Sequence, residues 1–171
     1  NNFVGYGAGL CNTLGNNNNY VGNIAGCLNQ TGGYNNMMGG QAGRCAIGSH
    51  NVFLGNYAGC NVNASSNVAI GASALRGIEG GTTTGNNNIA IGCEAGGKHT
   101  TGDYNVFLGQ YAGKYAASGD SNFQVGRIAG TSNISGCFNT YLGECAGRAN
   151  ETGCSNVAIG RAALYNTTTG Q

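Results

Sequence analysis

Ten times along this chain an Asn is followed three positions later by an aliphatic residue or Met and then by a Gly, and the interval between successive motifs barely changes. The glycines are Gly5, Gly22, Gly39, Gly55, Gly71, Gly92, Gly109, Gly126, Gly143 and Gly160, spaced by 16 or 17 residues except for one interval of 21. The residue before each glycine is aliphatic or Met, and the third residue after it is Ala in every turn, from Ala8 to Ala163. Such self-similarity marks units that bury their apolar faces against neighbouring units. Helical repeats need more than about 30 residues, so a unit this short has room only for brief strands joined at glycine corners. The expected fold is therefore all-β, a parallel β-solenoid or β-roll of ten coils. It forms one tandem-repeat domain over 1–171, with a four-residue insertion around 77–84. Stacked about 4.8 Å apart, the coils make a rod on the order of 50 Å long.

Each column of the repeat carries a physical expectation. Period-two alternation places the residue before the glycine and the one two earlier on one face. Their consistent apolarity predicts a buried column of Val4, Val21, Leu54, Ile70, Ile91, Leu108, Val125, Leu142 and Ile159. The Ala column suits a narrow second wall. The repeated Asn is placed to form a hydrogen-bonded ladder from coil to coil. The residues between the two apolar positions, Phe3, Tyr20, Met37, Phe53, Phe107 and Tyr141, then point away from the core as an apolar stripe of the kind that marks a contact surface.

Segments such as Asn67-Val68-Ala69-Ile70-Gly71, Asn88-Ile89-Ala90-Ile91-Gly92 and Asn156-Val157-Ala158-Ile159-Gly160 resemble the head repeats of YadA-like trimeric autotransporter adhesins. The stretch from Asn156 to Gly170 is also similar to solenoid repeats of phage tail fibres and related bacterial surface proteins. The resemblance covers all ten turns and implies left-handed β-roll coils, trimerisation, and attachment or shaft functions. The coil here is a few residues longer than in the YadA head and carries cysteines that the head lacks.

Eight cysteines in a small, loop-rich chain suggest an oxidising compartment. Cys11, Cys27, Cys45 and Cys60 follow their glycines by five or six residues in four successive turns, and Cys137 and Cys154 precede theirs by six. The expected bonds are Cys11–Cys27, Cys45–Cys60 and Cys137–Cys154. Cys93 and Cys145 lie three coils apart in different columns, either free or bonded to another molecule. No Cys-x-x-Cys pair accompanies His50 or His99, which argues against zinc, and no cofactor is implied. Five Asn-x-Ser/Thr sequons, at Asn29, Asn63, Asn133, Asn150 and Asn166, fall six to eight residues after their glycines, so they are expected to share one edge of the rod, which would carry N-linked glycans in a glycosylating secretory pathway; a chain this rich in Asn, Ser and Thr also forms sequons by composition alone.

The seven basic and six acidic residues give no electrostatic footprint for nucleic acid. No apolar run is long enough for a membrane span, and no paired acids or phosphate loop point to an enzyme. The sequence opens inside a repeat, as a mature chain or an excised fragment does. The expectation is a structural subunit or segment of an extracellular fibre, at a cell or virion surface. It would self-associate end to end, as Thr167-Thr168-Thr169-Gly170-Gln171 would run in register into Asn1-Asn2-Phe3-Val4-Gly5, or form a homo-oligomer, a trimer among the choices. The alternative is an adhesin head or tail-fibre domain that binds a surface glycan or protein, with the insertion as its candidate site.

Overall fold

The structure, a computed structural model, describes residues 1–78, 81 and 83–169. Ten three-residue strands lie side by side in one parallel sheet, in chain order. They are β1 (Asn2–Val4), β2 (Asn19–Val21), β3 (Asn36–Met38), β4 (Val52–Leu54), β5 (Val68–Ile70), β6 (Ile89–Ile91), β7 (Val106–Leu108), β8 (Phe123–Val125), β9 (Thr140–Leu142) and β10 (Val157–Ile159). Register is kept throughout, so Phe3 faces Tyr20 and Phe107 faces Gln124. Each coil climbs one strand spacing, and the chain is the β-solenoid that its period predicts, with no helix among the described residues.

Four positive-φ residues turn every regular coil, as Asn17, Gly22, Ile24 and Gly26 do in the second. The anchor glycines hold φ between 119° at Gly160 and 142° at Gly22. A Cβ on Gly5 or Gly22 would stand 2.5 Å from the carbonyl oxygen of the next anchor glycine. That corner excludes side chains twice over, by backbone conformation and by the closeness of the next coil.

The Asn column forms the expected ladder. The Oδ1 of each Asn accepts the backbone N–H of its counterpart one coil on, as in Asn18 N to Asn1 Oδ1 and Asn35 N to Asn18 Oδ1, both 2.9 Å. The Nδ2 donates to a carbonyl of that next coil, as in Asn18 to Gly32 O at 2.8 Å and Asn88 to Gly102 O at 2.9 Å. Asn18, Asn35, Asn51, Asn67, Asn88, Asn105, Asn122 and Asn139 are all buried. Their satisfied amides make that burial tolerable, since an unpaired one would cost about 1–3 kcal/mol.

The core lies on the opposite side of the strands from the one that apolar consistency suggests. Tyr20, Met37, Phe53, Phe107 and Tyr141 point inward and are fully buried, together with Ala69, Ala90 and Gln124 of the same column. Phe3, in the first coil, stacks on Tyr20 with ring centroids 5.0 Å apart and is partly exposed. The supposed core column faces outward. Val4 is 53% exposed, Ile91 41%, Leu142 42% and Ile159 65%.

Volume explains the inversion. The interior is a thin slot between the strand and the Ala wall, where Ala25, Ala42, Ala58, Ala95, Ala112 and Ala146 are fully buried. In most coils one large strand-centre side chain fills it, opposite the glycine that follows the wall alanine; Ala90 is instead paired with Gly96, where Phe107 and Leu75 of the adjacent coils close the space. A Cβ on Gly26 would lie 2.5 Å from the Tyr20 ring, and one on Gly59 2.5 Å from Phe53. Where the strand centre is Ala69 or Ala158, the glycine is replaced by Leu75 or Leu164, although these residues must then hold φ of 44° and 54°. Large and small residues thus alternate across the slot to keep the core filled.

Candidate functional surfaces

With the strand centres inside, two residues per strand face outward. One row is Asn2, Asn19, Asn36, Val52, Val68, Ile89, Val106, Phe123, Thr140 and Val157; the other is the Val4-to-Ile159 column, including Met38. No charged side chain occurs in either row. Apart from Thr140, the polar positions cluster at one end, where Asn2 Nδ2 donates to Asn19 Oδ1 at 2.9 Å and Asn19 Nδ2 to Asn36 Oδ1 at 3.1 Å. From β4 to β8 the face is wholly apolar. A sheet face open to solvent normally alternates with polar or charged residues, whereas an uncharged face with a five-strand apolar band has the composition of a contact surface.

A second ladder lies six residues before the anchors. Gly33 N donates to Ser49 Oγ and Ser49 N to Ser65 Oγ, both at 3.1 Å; Ser65 N donates to Asn86 Oδ1 at 2.9 Å. Asn86 N then reaches Asp103 Oδ1, and Asp103 N reaches Asp120 Oδ1. Cys137 and Cys154 continue it, with their sulfurs 3.3 Å from Asp120 N and 3.1 Å from Cys137 N. Sequence reasoning missed this ladder, although Ser, Asn and Asp at one offset were its visible sign.

None of the three expected disulfides is formed, and Cys93 and Cys145 are not paired with each other. Cys137 and Cys154 instead use sulfur as a hydrogen-bond acceptor. Cys11 and Cys45 sit six residues after their glycines and Cys27 and Cys60 five, so the partners stand in neighbouring columns, linked through backbone bonds such as Cys11 N to Cys27 O at 2.9 Å. Burial, reinforced by the Cys11 thiol, pushes the Cys27 thiol up. The sequons do not form an exposed edge either. Asn29, Asn133 and Asn150 are fully buried, and the latter two donate Nδ2 to Gly136 O and Gly153 O, which leaves no room for a sugar on that nitrogen. Asn63 is half-buried, and Asn166 alone is exposed.

The insertion makes the one marked break in the repeat. Glu79, Gly80 and Thr82 lie outside the described residues. The chain rejoins the solenoid at Thr83, which pairs with Val62 in an isolated parallel bridge. Beside it opens a cavity of about 460 Å³, lined by Ser73, Arg76, Ile78, Glu94 and Lys98 over the backbone of Gly77 and Gly97. Arg76 lies over the Tyr57 ring at 5.3 Å and Lys98 over Tyr115 at 4.9 Å. Glu94 Oε2 binds Lys114 Nζ at 2.7 Å and holds that ammonium above the usual lysine range.

Among the described residues no group of three or more His, Cys, Asp or Glu is placed to hold a metal ion. His99 is buried, with Nε2 2.6 Å from Gly102 O and Nδ1 3.0 Å from Ala116 O. Those contacts make it a substitute for the Asn of the same column, since Asn133 and Asn150 also bind the carbonyl three residues on. Among the described residues no helix is long and apolar enough to cross a membrane. No protein-family model, curated protein or solved structure matches this chain.

Proposed function

We propose that this chain is a structural segment of an extracellular fibre whose coils associate side by side, with the outward apolar face of the sheet buried between copies. The observation that carries the reading is that face: two outward residues from each of ten strands, none of them charged. A standard protein interface uses about 20–30 residues a side, and one strip of this rod supplies twenty. The trimer implied by the YadA-like resemblance is one such arrangement. The edge strands β1 and β10 also permit lengthening of the rod, by further repeats or by another copy. Stacked coils suit a shaft because each is held by its neighbours alone.

Light scattering on the purified chain, with electron microscopy, tests the reading. The expected result is an oligomer or filament. Paired substitution of Ile91→Lys and Leu108→Glu should reduce it to monomers, weakening association by at least about 100-fold, while the β-rich circular dichroism is retained. A wild-type chain that stays monomeric at high concentration would refute it.

The alternative, an adhesin or tail-fibre domain recognising a surface ligand, is favoured by a different observation, the cavity at the insertion.

A further inference from the structure

Charge is distributed very unevenly along this rod. Arg44 is the sole Lys, Arg, Asp or Glu of residues 1–75, whereas Arg76, Glu94, Lys98 and Lys114 gather on three successive coils around the cavity. A second charged group, Arg127, Glu144 and Arg161, is joined by ion pairs on later coils, whereas Arg76, Glu94 and Lys98 of the first line the cavity.

The geometry points to a binding site for a carboxylate-bearing sugar in this cavity. Its volume of about 460 Å³ falls within the usual range for small-ligand sites, about 300–1,000 Å³. Lys98 is exposed and supplies an ammonium to a carboxylate. The Tyr115 ring beneath it holds the ammonium in place without neutralising it. Glu94 is already committed to Lys114 through Oε2, and its Oε1 is an acceptor for sugar hydroxyls. Ser73 adds a hydroxyl that can donate or accept. Ile78, 47% exposed, provides an apolar wall for the C–H face of a sugar ring. No side chain rises from the floor at Gly77 and Gly97, so a ligand can approach the backbone closely.

The mixture of cation and acid selects the ligand class. A phosphate dianion would be repelled by Glu94, while a neutral sugar would leave Lys98 unused. A monoanion flanked by hydroxyls satisfies both. Arg76 lines the same wall, but the assignment rests on Lys98, Glu94 and Ser73. It is independent of the fibre reading, since the cavity belongs to a single chain and lies away from the strand centres.

Saturation-transfer NMR on the full chain, which tolerates large assemblies, is the test, with methyl glucuronide, methyl glucoside and inorganic phosphate as probes. The glucuronide should bind saturably and about 3- to 5-fold more tightly than the glucoside, the contribution of one ion pair to an exposed ammonium. Lys98→Gln should erase that preference, and Lys98→Arg should keep most of it. Equal binding of glucuronide and glucoside, tighter binding of phosphate, unchanged selectivity in Lys98→Gln, or no saturable transfer to any probe would each overturn the assignment. The assembly state of the chain bears on none of these outcomes.

Discussion

The two sides of the sheet obey opposite rules. Facing inward, the strand centres range from Ala69 and Ala90 through Met37 and Gln124 to Phe53 and Tyr141, yet nearly all are fully buried. Facing outward, the residue before each glycine is always Val, Ile, Leu or Met, yet many of these are exposed. The inner side tolerates variety because each coil can compensate across the slot, with Gly opposite a ring and Leu opposite Ala. The outer side has no such partner within the chain. Its uniformity makes a flat surface, which is what contact with another flat surface requires and what an isolated rod does not.

The most damaging way to test the inner rule is to break its compensation. Phe53→Ala alone should empty the slot and cost about 3–5 kcal/mol. Gly59→Leu alone should overfill it, because its Cβ would meet the Phe53 ring at 2.5 Å, and φ of 58° adds strain; about 3–4 kcal/mol is expected. Together they reproduce the pair found at Ala69 and Leu75. The double variant should therefore be more stable than either single one, with a coupling energy of about 2–3 kcal/mol in urea unfolding. Additive losses would mean that the slot is not filled by exchange across coils.

A smaller effect, of opposite sign, is expected at the polar member of the inner column. Gln124 is stacked in register between Phe107 and Tyr141, fully buried, and neither of its amide atoms has a hydrogen-bond partner. Gln124→Met keeps the length and removes the unpaired amide, which should stabilise the chain by about 1–3 kcal/mol. A lower melting temperature would show that the amide is satisfied in solution, by an internal water for example.

Much of this architecture was legible in the residues before any coordinates. The fixed glycine spacing defined ten coils, the Asn at fixed offset defined a ladder, and the Ala column defined a second wall. The direction of the strand face was not legible from alternation, because a three-residue strand offers two sets of positions and consistency of type does not say which set is inside. The decisive sign was correlation rather than consistency: Leu75 and Leu164 replace glycine in two of the three coils whose strand centre is Ala, those of Ala69 and Ala158, while Ala90 keeps Gly96 beside Leu75. A column that co-varies in size with another must touch it. The shared sequon edge is not supported for a related reason: the offset from glycine was treated as a place on an edge, whereas a shift of one residue moves a side chain from solvent to slot, as at buried Asn29 and exposed Asn166.

The smallest effect expected at neutral pH is at His99, where the slot meets a titratable group. Burial pushes the imidazole below its ordinary value, although the Gly102 and Ala116 carbonyls and the charges of Asp103 and Asp120 act the other way. The folded chain therefore binds fewer protons than the unfolded one in mildly acidic solution. Stability from this group is fully present above the unfolded value, near pH 6.5, and is lost as pH falls below it. His99→Asn places at this position the residue that binds the equivalent carbonyl at Asn133 and Asn150. It gives up the edge-on contact with Phe107, whose ring centroid is 5.7 Å away, and should cost about 1 kcal/mol at pH 7.5. Between pH 7.5 and 5 the wild type should lose more thermal stability than the variant, so their melting temperatures should converge towards acid. Parallel melting curves across that window would show that the imidazole keeps its proton in the folded chain, bound by the two carbonyls that flank it.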